Sequence, residues 1–225
     1  MTPLSTCPSC GTEVRPTAKF CDECGAAVAR IAEPAEYKQV TVLFADVVRS
    51  MDIAAALGAE RLREVMGELF NRASAIVQRF GGTVDKFTGD GVMAVFGAPV
   101  ALEDHALRAC RAALEIQKDI KSLASDVEHR DHVTLQLRVG LNSGEVITGE
   151  IGSGSLAYTA VGEQVGMAQR MESVAPPGGV MVSESTARLV ESGAALSERE
   201  LADRFRVIAN DLGFEGYIAM ADAMP

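Results

Sequence analysis

The run of residues 83–96, TVDKFTGDGVMAVF, constrains the fold more than any other part of this chain. Two β-rich segments, Thr83–Phe87 and residues 92–96, flank a short stretch that ends in Asp90-Gly91. Asp-Gly between two such segments is a strong hairpin signal, because both residues tolerate the positive φ angles that a tight turn requires. We therefore predict a β-hairpin that presents Asp90 at its turn.

A second acidic residue is placed to meet this turn. The segment 40–48, VTVLFADVV, reads as a strand and carries Asp46 near its end, while Lys86 precedes Asp90 by four residues. Asp46 and Asp90 are expected to meet on neighbouring strands. Two carboxylates so placed, beside a basic residue, form a site for a hard cation that suits phosphate chemistry.

The composition is that of an ordinary globular chain, with 225 residues of which 48% are hydrophobic and 23% are charged. This length accommodates one domain of ordinary size and a small appendage. The formal net charge of −10 argues against general nucleic-acid binding, which requires a basic surface. No apolar run approaches the roughly 20 residues of a membrane span, and the N-terminus lacks the pattern of a signal peptide, so we expect a cytoplasmic protein.

Four of the five cysteines form two Cys-x-x-Cys-Gly units near the N-terminus. Two such units across a short loop are typical of a tetrahedral zinc site, whose thiolate ligands would be Cys7, Cys10, Cys21 and Cys24. Two disulfides or a redox pair are the alternatives, and a reducing cytosol favours zinc over both. Four thiolates leave no open coordination position, so we predict a structural Zn²⁺ that supplies the folding energy of this short segment.

The chain is predicted to divide into a zinc-binding module at 1–28, a linker at 29–38, a main domain at 39–193 and a helical tail at 194–225. Apolar spacing and turn signals place the elements of the main domain. Helices are predicted at 59–80, 102–121, 163–174 and 184–190, and strands at 39–48, 83–87, 92–96, 134–142, 145–151, 156–161 and 180–183. The strands 134–142 and 145–151 are expected to pair as a hairpin across Ser143-Gly144.

This order of elements predicts an α+β fold of the ferredoxin-like kind, with helices packed on one face of the sheet. His129 and His132 are expected in a polar loop at 126–132, and His105 is expected to be solvated at the start of a helix. Cys110 is interpreted as a small buried hydrophobe and not as a nucleophile. In the tail, apolar spacing predicts an amphipathic helix over residues 201–212.

Five motifs follow one another through the main domain. They are Phe44-Ala-Asp46, Asp85-Lys86-Phe-Thr-Gly-Asp90-Gly, Arg138-Val-Gly140-Leu-Asn-Ser-Gly, Tyr158-Thr159-Ala-Val-Gly and Ala168-Gln-Arg170-Met-Glu172. Together they resemble the catalytic domain of class III nucleotidyl cyclases, especially mycobacterial-type adenylate cyclases, over about residues 40–190. The cysteine units resemble the zinc ribbons at the front of many bacterial signalling proteins.

The resemblance implies an adenylate cyclase that converts ATP to 3′,5′-cyclic AMP and pyrophosphate. Asp46 and Asp90 would hold two Mg²⁺ or Mn²⁺ ions, one activating the ribose 3′-hydroxyl and the other binding the triphosphate. Such two-metal clamping stabilises the charge of an in-line displacement at the α-phosphorus.

The same resemblance assigns the remaining roles. Lys86 would read an acceptor on the purine edge, Thr159 lies where many members carry an Asp that accepts from the adenine amino group, and Val47 belongs to the substrate-binding set. Arg170 would stabilise charge developing on the phosphates. The resemblance also implies a homodimer, in which Lys86, Thr159 and Arg170 serve the active site whose aspartates belong to the twin. The zinc ribbon would regulate the enzyme or contact a protein partner.

Three departures from the family pattern modify this expectation. Gly166 falls where active members carry an Asn that contacts the ribose–phosphate region, and loss of one such contact typically lowers turnover by ~10²–10³-fold. Arg49 replaces a small residue in the loop that meets phosphate, and Thr159 in place of Asp makes base selection less strict. We therefore predict a slow adenylate cyclase. The alternative is a catalytically silent cyclase-like domain for dimerisation or nucleotide sensing; a guanylate cyclase is a weaker alternative, because Lys86 suits adenine.

Overall fold

The computed structural model describes residues 5–7, 9–15, 18, 20–26, 36–151, 157–193 and 217–220. In the N-terminal segment, β1 (Ser5–Thr6) pairs with β2 (Glu13–Val14). The main domain has the strands β3 (Glu36–Val47), β4 (Thr83–Phe87), β5 (Gly91–Phe96), β6 (Leu137–Ile151), β7 (Ala157–Val161), β8 (Val180–Ser183) and β9 (Tyr217–Met220). Its helices are α1 (Ser50–Arg79), α2 (His105–Asp131), α3 (Glu163–Val174) and α4 (Glu184–Gly193).

The strands β3 to β9 form one sheet in the order β4-β5-β3-β6-β8-β9, and β7 pairs with the second half of β6. The pairing is antiparallel except between β6 and β8, which run parallel. β3 lies at the centre and pairs with β6 along its whole length, from Glu36 opposite Thr148 to Val47 opposite Leu137. This mixed arrangement of helices and sheet confirms the predicted α+β fold class.

Helices cover both faces of this sheet, so the expectation of helices on one face is wrong. Leu43, Ala45 and Val47 of β3 belong to the core formed with α1, α2 and α4. The alternate residues, among them Val42 and Phe44, belong to a second core that includes Ala168 of α3. The unbroken buried run from Val40 to Ala45 was the available signal, because a strand buried on both faces reads as continuously apolar.

The predicted hairpin across Ser143-Gly144 is also wrong, because Leu137–Ile151 is a single long strand. β3 pairs without interruption past Ser143 and Gly144, so neither residue turns the chain. The absence of a side chain at Gly144 instead leaves room for the side chain of Gln164. A Cβ there would lie 2.9 Å from Cδ of Gln164, whose side chain crosses the strand at this point.

The helices differ from prediction mainly at their ends. α1 begins at Ser50 and is interrupted at Gly58, where φ is 73°, so the predicted helix 59–80 corresponds to its second part. α2 continues to Asp131, which places exposed His129 on the helix and leaves His132 after its end. Cys110 is buried as predicted, and burial raises its pKa to about 12.

The expectation that His105 is solvated is wrong. Its side chain is buried, and Nδ1 lies 2.7 Å from the hydroxyl oxygen of Thr41 on β3. Burial lowers the pKa of His105, which favours the neutral ring. The partner lies 64 positions away in the chain, so only the packing of α2 against the sheet reveals it.

The predicted hairpin at 83–96 is present as β4 and β5, with a register shift between Val84 and Lys86. Its left-handed turn residue is Gly89, with φ of 92°, and not Asp90 or Gly91. β3 begins at Glu36, before the predicted end of the linker, and residues 29–35 lie outside the described residues.

In the tail, β9 pairs antiparallel with β8, so this part of the predicted helical tail is a strand of the sheet. The helix predicted at 201–212 lies outside the described residues. None of the helices in the described ranges combines the length with the hydropathy that crossing a membrane requires.

Candidate functional site

Strands β3 and β5 bring Asp46 and Asp90 together. Asp46 lies opposite Gly91 in the antiparallel register, and the backbone N–H of Val47 donates to the carbonyl oxygen of Asp90 at 3.3 Å. Gly91 makes the close approach possible, because a Cβ at that position would lie 2.7 Å from the Ala45 carbonyl oxygen and 2.8 Å from Asp46 Oδ1. The turn that carries Asp90 and the end of β3 that carries Asp46 therefore lie side by side.

The two carboxyl groups interact strongly. Burial, followed by the neighbouring Asp90 carboxylate, raises the pKa of Asp46, whereas the Arg138 guanidinium opposes the rise. Ser50, the first residue of α1, donates its hydroxyl to Asp90 Oδ2 at 2.5 Å and so orients that carboxylate. Carboxylate oxygens are the ligands that Mg²⁺ and Mn²⁺ prefer, and two adjacent carboxylates favour a cation that offsets their repulsion. This donor set fits divalent cations.

Two charged residues that sequence reasoning left without a role complete this region. Arg138 lies directly opposite Asp46 in the β3–β6 register, and its Nη2 is 3.7 Å from Asp46 Oδ2. Its Nε is 3.2 Å from Oε1 of Glu172 on α3, and its Nη1 donates to the Ser173 carbonyl oxygen at 3.2 Å. We call Asp46, Asp90, Arg138 and Glu172 the acidic corner. The signal that identifies Arg138 is the strand register, which spacing in the sequence does not provide.

Glu172 reaches the corner because α3 lies directly on the sheet. A Cβ at Gly140 of β6 would lie 2.0 Å from the backbone nitrogen of Glu172 and 2.6 Å from the Ala168 carbonyl oxygen. The Glu172 side chain is only 8% exposed. Burial raises its pKa, the Arg138 charge opposes this, and the charge of Asp46 adds to the rise.

Arg170 points away from this corner. It follows Gly166 by one helical turn and precedes Glu172 by two residues, which corresponds to about 200° of rotation around the helix axis. Gly166, Gln169 and Arg170 are all exposed, and we call these three residues the outer face of α3. Arg170 has no ion pair with any residue that the structure describes.

The other predicted site residues lie on three different strands of the sheet. Lys86 of β4 is half exposed, and its Nζ lies 3.3 Å from the buried carboxylate of Asp85. Thr159 of β7 lies opposite Gly149 of β6 in the register. Val47 follows Asp46 at the end of β3 and is buried.

Gly166 stands in open space, because a Cβ built at this position meets nothing within 4 Å. It lies within α3 and is exposed. Packing within one chain therefore does not explain the glycine. A larger side chain would fit there without displacing a neighbour.

The four N-terminal cysteines converge as a second candidate metal site. Their Sγ atoms all lie within 4.8 Å of one another, with 3.6 Å between Cys7 and Cys24 and 3.6 Å between Cys10 and Cys21. Tetrahedral zinc with Zn–S bonds of ~2.3 Å separates sulfur atoms by ~3.8 Å, so this arrangement fits zinc. Hydrogen bonding with the Thr12 side chain and backbone lowers the pKa of Cys10 to about 6, which favours the thiolate that a metal requires. Against a hydrogen bond with the Ala26 backbone, the neighbouring Cys10 raises the pKa of Cys24 to about 12.

Comparison with known families agrees with both regions. Residues 32–214 match the adenylate and guanylate cyclase catalytic domain, and residues 6–28 match a zinc-ribbon domain. The former match covers most of the chain and includes the acidic corner and α3.

Similar proteins include cyclases of both substrate types. The chain is 31% identical over 170 residues to adenylate cyclase 1 of Rhizobium meliloti, covering 75% of this chain and 24% of that protein. It is 30% identical over 165 residues to the membrane guanylyl cyclase of Dictyostelium discoideum, covering 73% of this chain and 11% of that protein. An adenylate cyclase of Mycobacterium tuberculosis is 29% identical over 164 residues, covering 73% of this chain and 36% of that protein. The chain thus matches well under half the length of these relatives.

A solved structure agrees with the fold. The adenylyl cyclase CyaB from P. aeruginosa superposes with a TM-score of 0.68 at 30% identity, over 72% of this chain and 84% of that one. Given this fold, the acidic corner and the matched ranges, the chain belongs to the adenylate and guanylate cyclase catalytic domain family, with an N-terminal zinc-ribbon domain.

Proposed function

We propose that this chain is a class III adenylate cyclase that converts ATP to 3′,5′-cyclic AMP and pyrophosphate as a homodimer. The observation that carries the proposal is the meeting of Asp46 and Asp90 over Gly91. The N-terminus of α1 begins directly after this strand end and has no side-chain cap. Helix N-termini favour anions, so the cation ligands and a helix end suited to phosphate would lie side by side.

In the proposed reaction, the ribose 3′-oxygen attacks the α-phosphorus and forms the cyclic ester. The bond from that phosphorus to the bridging oxygen breaks, pyrophosphate leaves with the electron pair, and the hydroxyl proton passes to water. Two Mg²⁺ or Mn²⁺ ions, when bound, would acidify the hydroxyl and neutralise phosphate charge. Asp46 and Asp90 would hold these ions, and Ser50 orients Asp90 through its hydrogen bond. Val47, which follows Asp46 on β3, would belong to the substrate-binding set.

The exposure of the remaining site residues supports the homodimer. Arg170 lies on the outer face of α3, and Lys86 is half exposed on the edge strand β4. These side chains face away from the acidic corner or stand apart from it. Together with Thr159, they would serve a nucleotide held by the aspartates of a second copy. In that arrangement Arg170 would donate its planar set of N–H groups to the phosphates.

The choice of ATP rests on Lys86, since the relatives include both adenylate and guanylate cyclases. A lysine donates hydrogen bonds and accepts none, so it suits the ring-nitrogen acceptor of adenine. The corresponding ring nitrogen of guanine carries a proton, which calls for an acceptor such as Glu. The hydroxyl of Thr159 can donate or accept, and it therefore permits some use of GTP.

The experiment that tests the proposal is a Mn²⁺-supported assay with ATP and with GTP. We expect cyclic AMP from the parent chain and a loss of ~10²-fold or more in Asp46→Ala and Asp90→Ala, because each removes a cation ligand. Cyclic GMP as the main product would favour the guanylate cyclase. ATP binding without product above the variants' background would favour the silent domain.

One observation, the glycine at position 166, favours the alternative that this is a catalytically silent cyclase-like domain. Its open surroundings leave the outer face of α3 without the amide that the family pattern places there. The retained pair of aspartates opposes this alternative. A domain that only dimerised would have no need of two carboxylates held against each other at an energetic cost.

The zinc ribbon is proposed to carry one structural Zn²⁺ and to act as a regulatory or partner-contact module. We expect about one zinc per chain after purification without chelator, and little zinc in Cys7→Ser, since a structural site needs four ligands. Metal analysis of both proteins checks this. Zinc near zero in the parent would contradict it. The cytoplasmic location expected from the sequence stays a prediction.

A further inference from the structure

We propose that Glu172 holds the Arg138 guanidinium back from Asp46 and thereby keeps Asp46 available to divalent cations. Glu172 and Arg138 are then positioning residues that act through Asp46. This inference rests on the proposed function, because it concerns the same cation site.

Arg138 is positioned to form an ion pair with Asp46. It lies directly across the β3–β6 ladder from Asp46, and such cross-strand neighbours have Cβ atoms about 5 Å apart on the same face. An arginine so close to a carboxylate would ordinarily form a short, bidentate pair with it. Here the approach stops at 3.7 Å between Arg138 Nη2 and Asp46 Oδ2.

On its other side, Arg138 contacts the end of α3. Its Nε lies 3.2 Å from Glu172 Oε1, and its Nη1 donates to the Ser173 carbonyl oxygen at 3.2 Å. Both partners belong to the end of α3. Arg138 is therefore drawn toward the helix by one ion pair and one hydrogen bond, while a single, longer ion pair reaches Asp46.

Glu172 has little freedom to move away from Arg138. Its side chain is 8% exposed, and the helix backbone beside it rests on Gly140 with no room for a Cβ. The buried atoms Arg138 Nε and Glu172 Oε1 also lack a well-aligned hydrogen bond, although they are ion-paired. Burying these charges costs free energy, which a purely structural contact between α3 and β6 could avoid with apolar residues.

The consequence for the cation site follows from the balance of charges. The acidic corner contains three carboxylates and one guanidinium. If Glu172 were neutral, Arg138 would have Asp46 as its main carboxylate partner, and a cation would have to displace it. With Glu172 ionised, the guanidinium is already neutralised, and the pair Asp46 and Asp90 keeps its negative charge for the metal.

The substitutions that test this are Glu172→Gln alone and Glu172→Gln combined with Arg138→Met. The first keeps the shape of residue 172 and removes its charge, so it releases Arg138 toward Asp46. The second also replaces the released guanidinium with an apolar side chain. Asp46→Ala provides the background of Mn²⁺ held elsewhere on the chain.

The experiment is a titration of the zinc-loaded full chain with Mn²⁺ alone, in which the free ion is measured by electron paramagnetic resonance. We expect Glu172→Gln to raise the Mn²⁺ concentration for half-saturation on the order of five-fold, because one unit charge near the site is lost and another moves closer. The double variant should return to within about two-fold of the parent, since it has no guanidinium to compete.

A contact that merely supports the fold would behave differently. It would lower the melting temperature in both variants and give no recovery of Mn²⁺ binding in the double variant. Unchanged binding in Glu172→Gln, or a loss that persists in the double variant, would overturn the inference alone. A parent chain that holds no more Mn²⁺ than Asp46→Ala would overturn the proposed cation site, and the inference with it.

Discussion

The acidic corner and the outer face of α3 lie on opposite sides of the same helix, and they differ in almost every physical respect. The corner is held by strand register, by the close backbone approach at Gly91 and by an ion pair with a largely buried carboxylate. The outer face is exposed, and its arginine has no ion pair among the residues that the structure describes. The charged groups of the acidic corner contact one another within a single chain. The outer face of α3 instead presents its arginine to the surroundings.

The proposed homodimer accounts for this difference, since in it each chain would supply two halves of different sites. Cations would offset the repulsion between Asp46 and Asp90. An anion from outside the chain would give a partner to exposed Arg170, which has no ion pair within the described ranges. The two-fold arrangement proposed above satisfies both needs at once, because each copy offers its outer face to the other's corner.

The most severe test of this comparison mixes two inactive variants. Asp46→Ala and Arg170→Ala should each lose ~10²-fold or more of activity. If the halves lie on different copies, half of the dimers in an equal mixture are mixed, each with one intact site of two, so about a quarter of the parent rate returns. Cyclic nucleotide formation after co-expression measures this.

The matched control mixes Asp46→Ala with Asp90→Ala. Both substitutions damage the same half, so no mixed dimer contains an intact site and the rate should stay at background. A test pair that stays at background like the control would break the comparison, because it would place Arg170 and Asp46 in one site of one chain.

A second prediction concerns Gly166 on the outer face. Gly166→Asn should raise kcat on the order of ten-fold, because the amide supplies a polar contact to the nucleotide in the partner site. The position has open space around it, so the substitution does not displace a neighbour. Steady-state rates for the parent and the variant provide the measurement.

Gly166→Ala separates this effect from helix stability. Alanine favours a helix by ~1 kcal/mol over glycine but has no amide. It should stabilise the protein without raising kcat. Equal gains from alanine and asparagine would show that the outer face acts through the stability of α3 and not through contact with a ligand.

The smallest expected effect comes from a substitution at Gly140, where β6 contacts the backbone of α3. Gly140→Ala should lower the free energy of unfolding by roughly 1–3 kcal/mol, because its methyl group would meet the backbone of α3. Chemical denaturation of this variant and of Gly166→Ala, which should change stability in the opposite direction, provides the comparison. A Gly140→Ala protein as stable as the parent would mean that α3 does not rest on the sheet at this point.

Local patterns were sufficient for much of the fold. The hairpin at β4 and β5, the helix at α3 and the burial of Cys110 follow from neighbours close in the chain. Long-range pairing was predicted less well. The continuous strand β6 was interpreted as a hairpin because Ser-Gly is a common turn signal, whereas uninterrupted pairing with β3 overrides that signal.

The candidate site shows the same division. Asp46 and Asp90 are recognisable from a strand end and a turn, and the four cysteines from their spacing. Arg138 and Glu172 could not be assigned, because no short-range pattern indicates which residue of β6 faces Asp46 or which face of α3 rests on Gly140. His105 was assigned to solvent for the same reason.

The sequence by itself determined which chemical groups this protein has: a carboxylate pair, a lysine, an arginine and four thiols at recognisable spacings. Only the tertiary structure decided which of them meet. Strand register set Arg138 against Asp46, and the close contact at Gly140 turned Glu172 inward and Arg170 outward. The physical reason is that a side chain's direction depends on how its strand or helix packs against others, and such packing involves residues far apart in the chain.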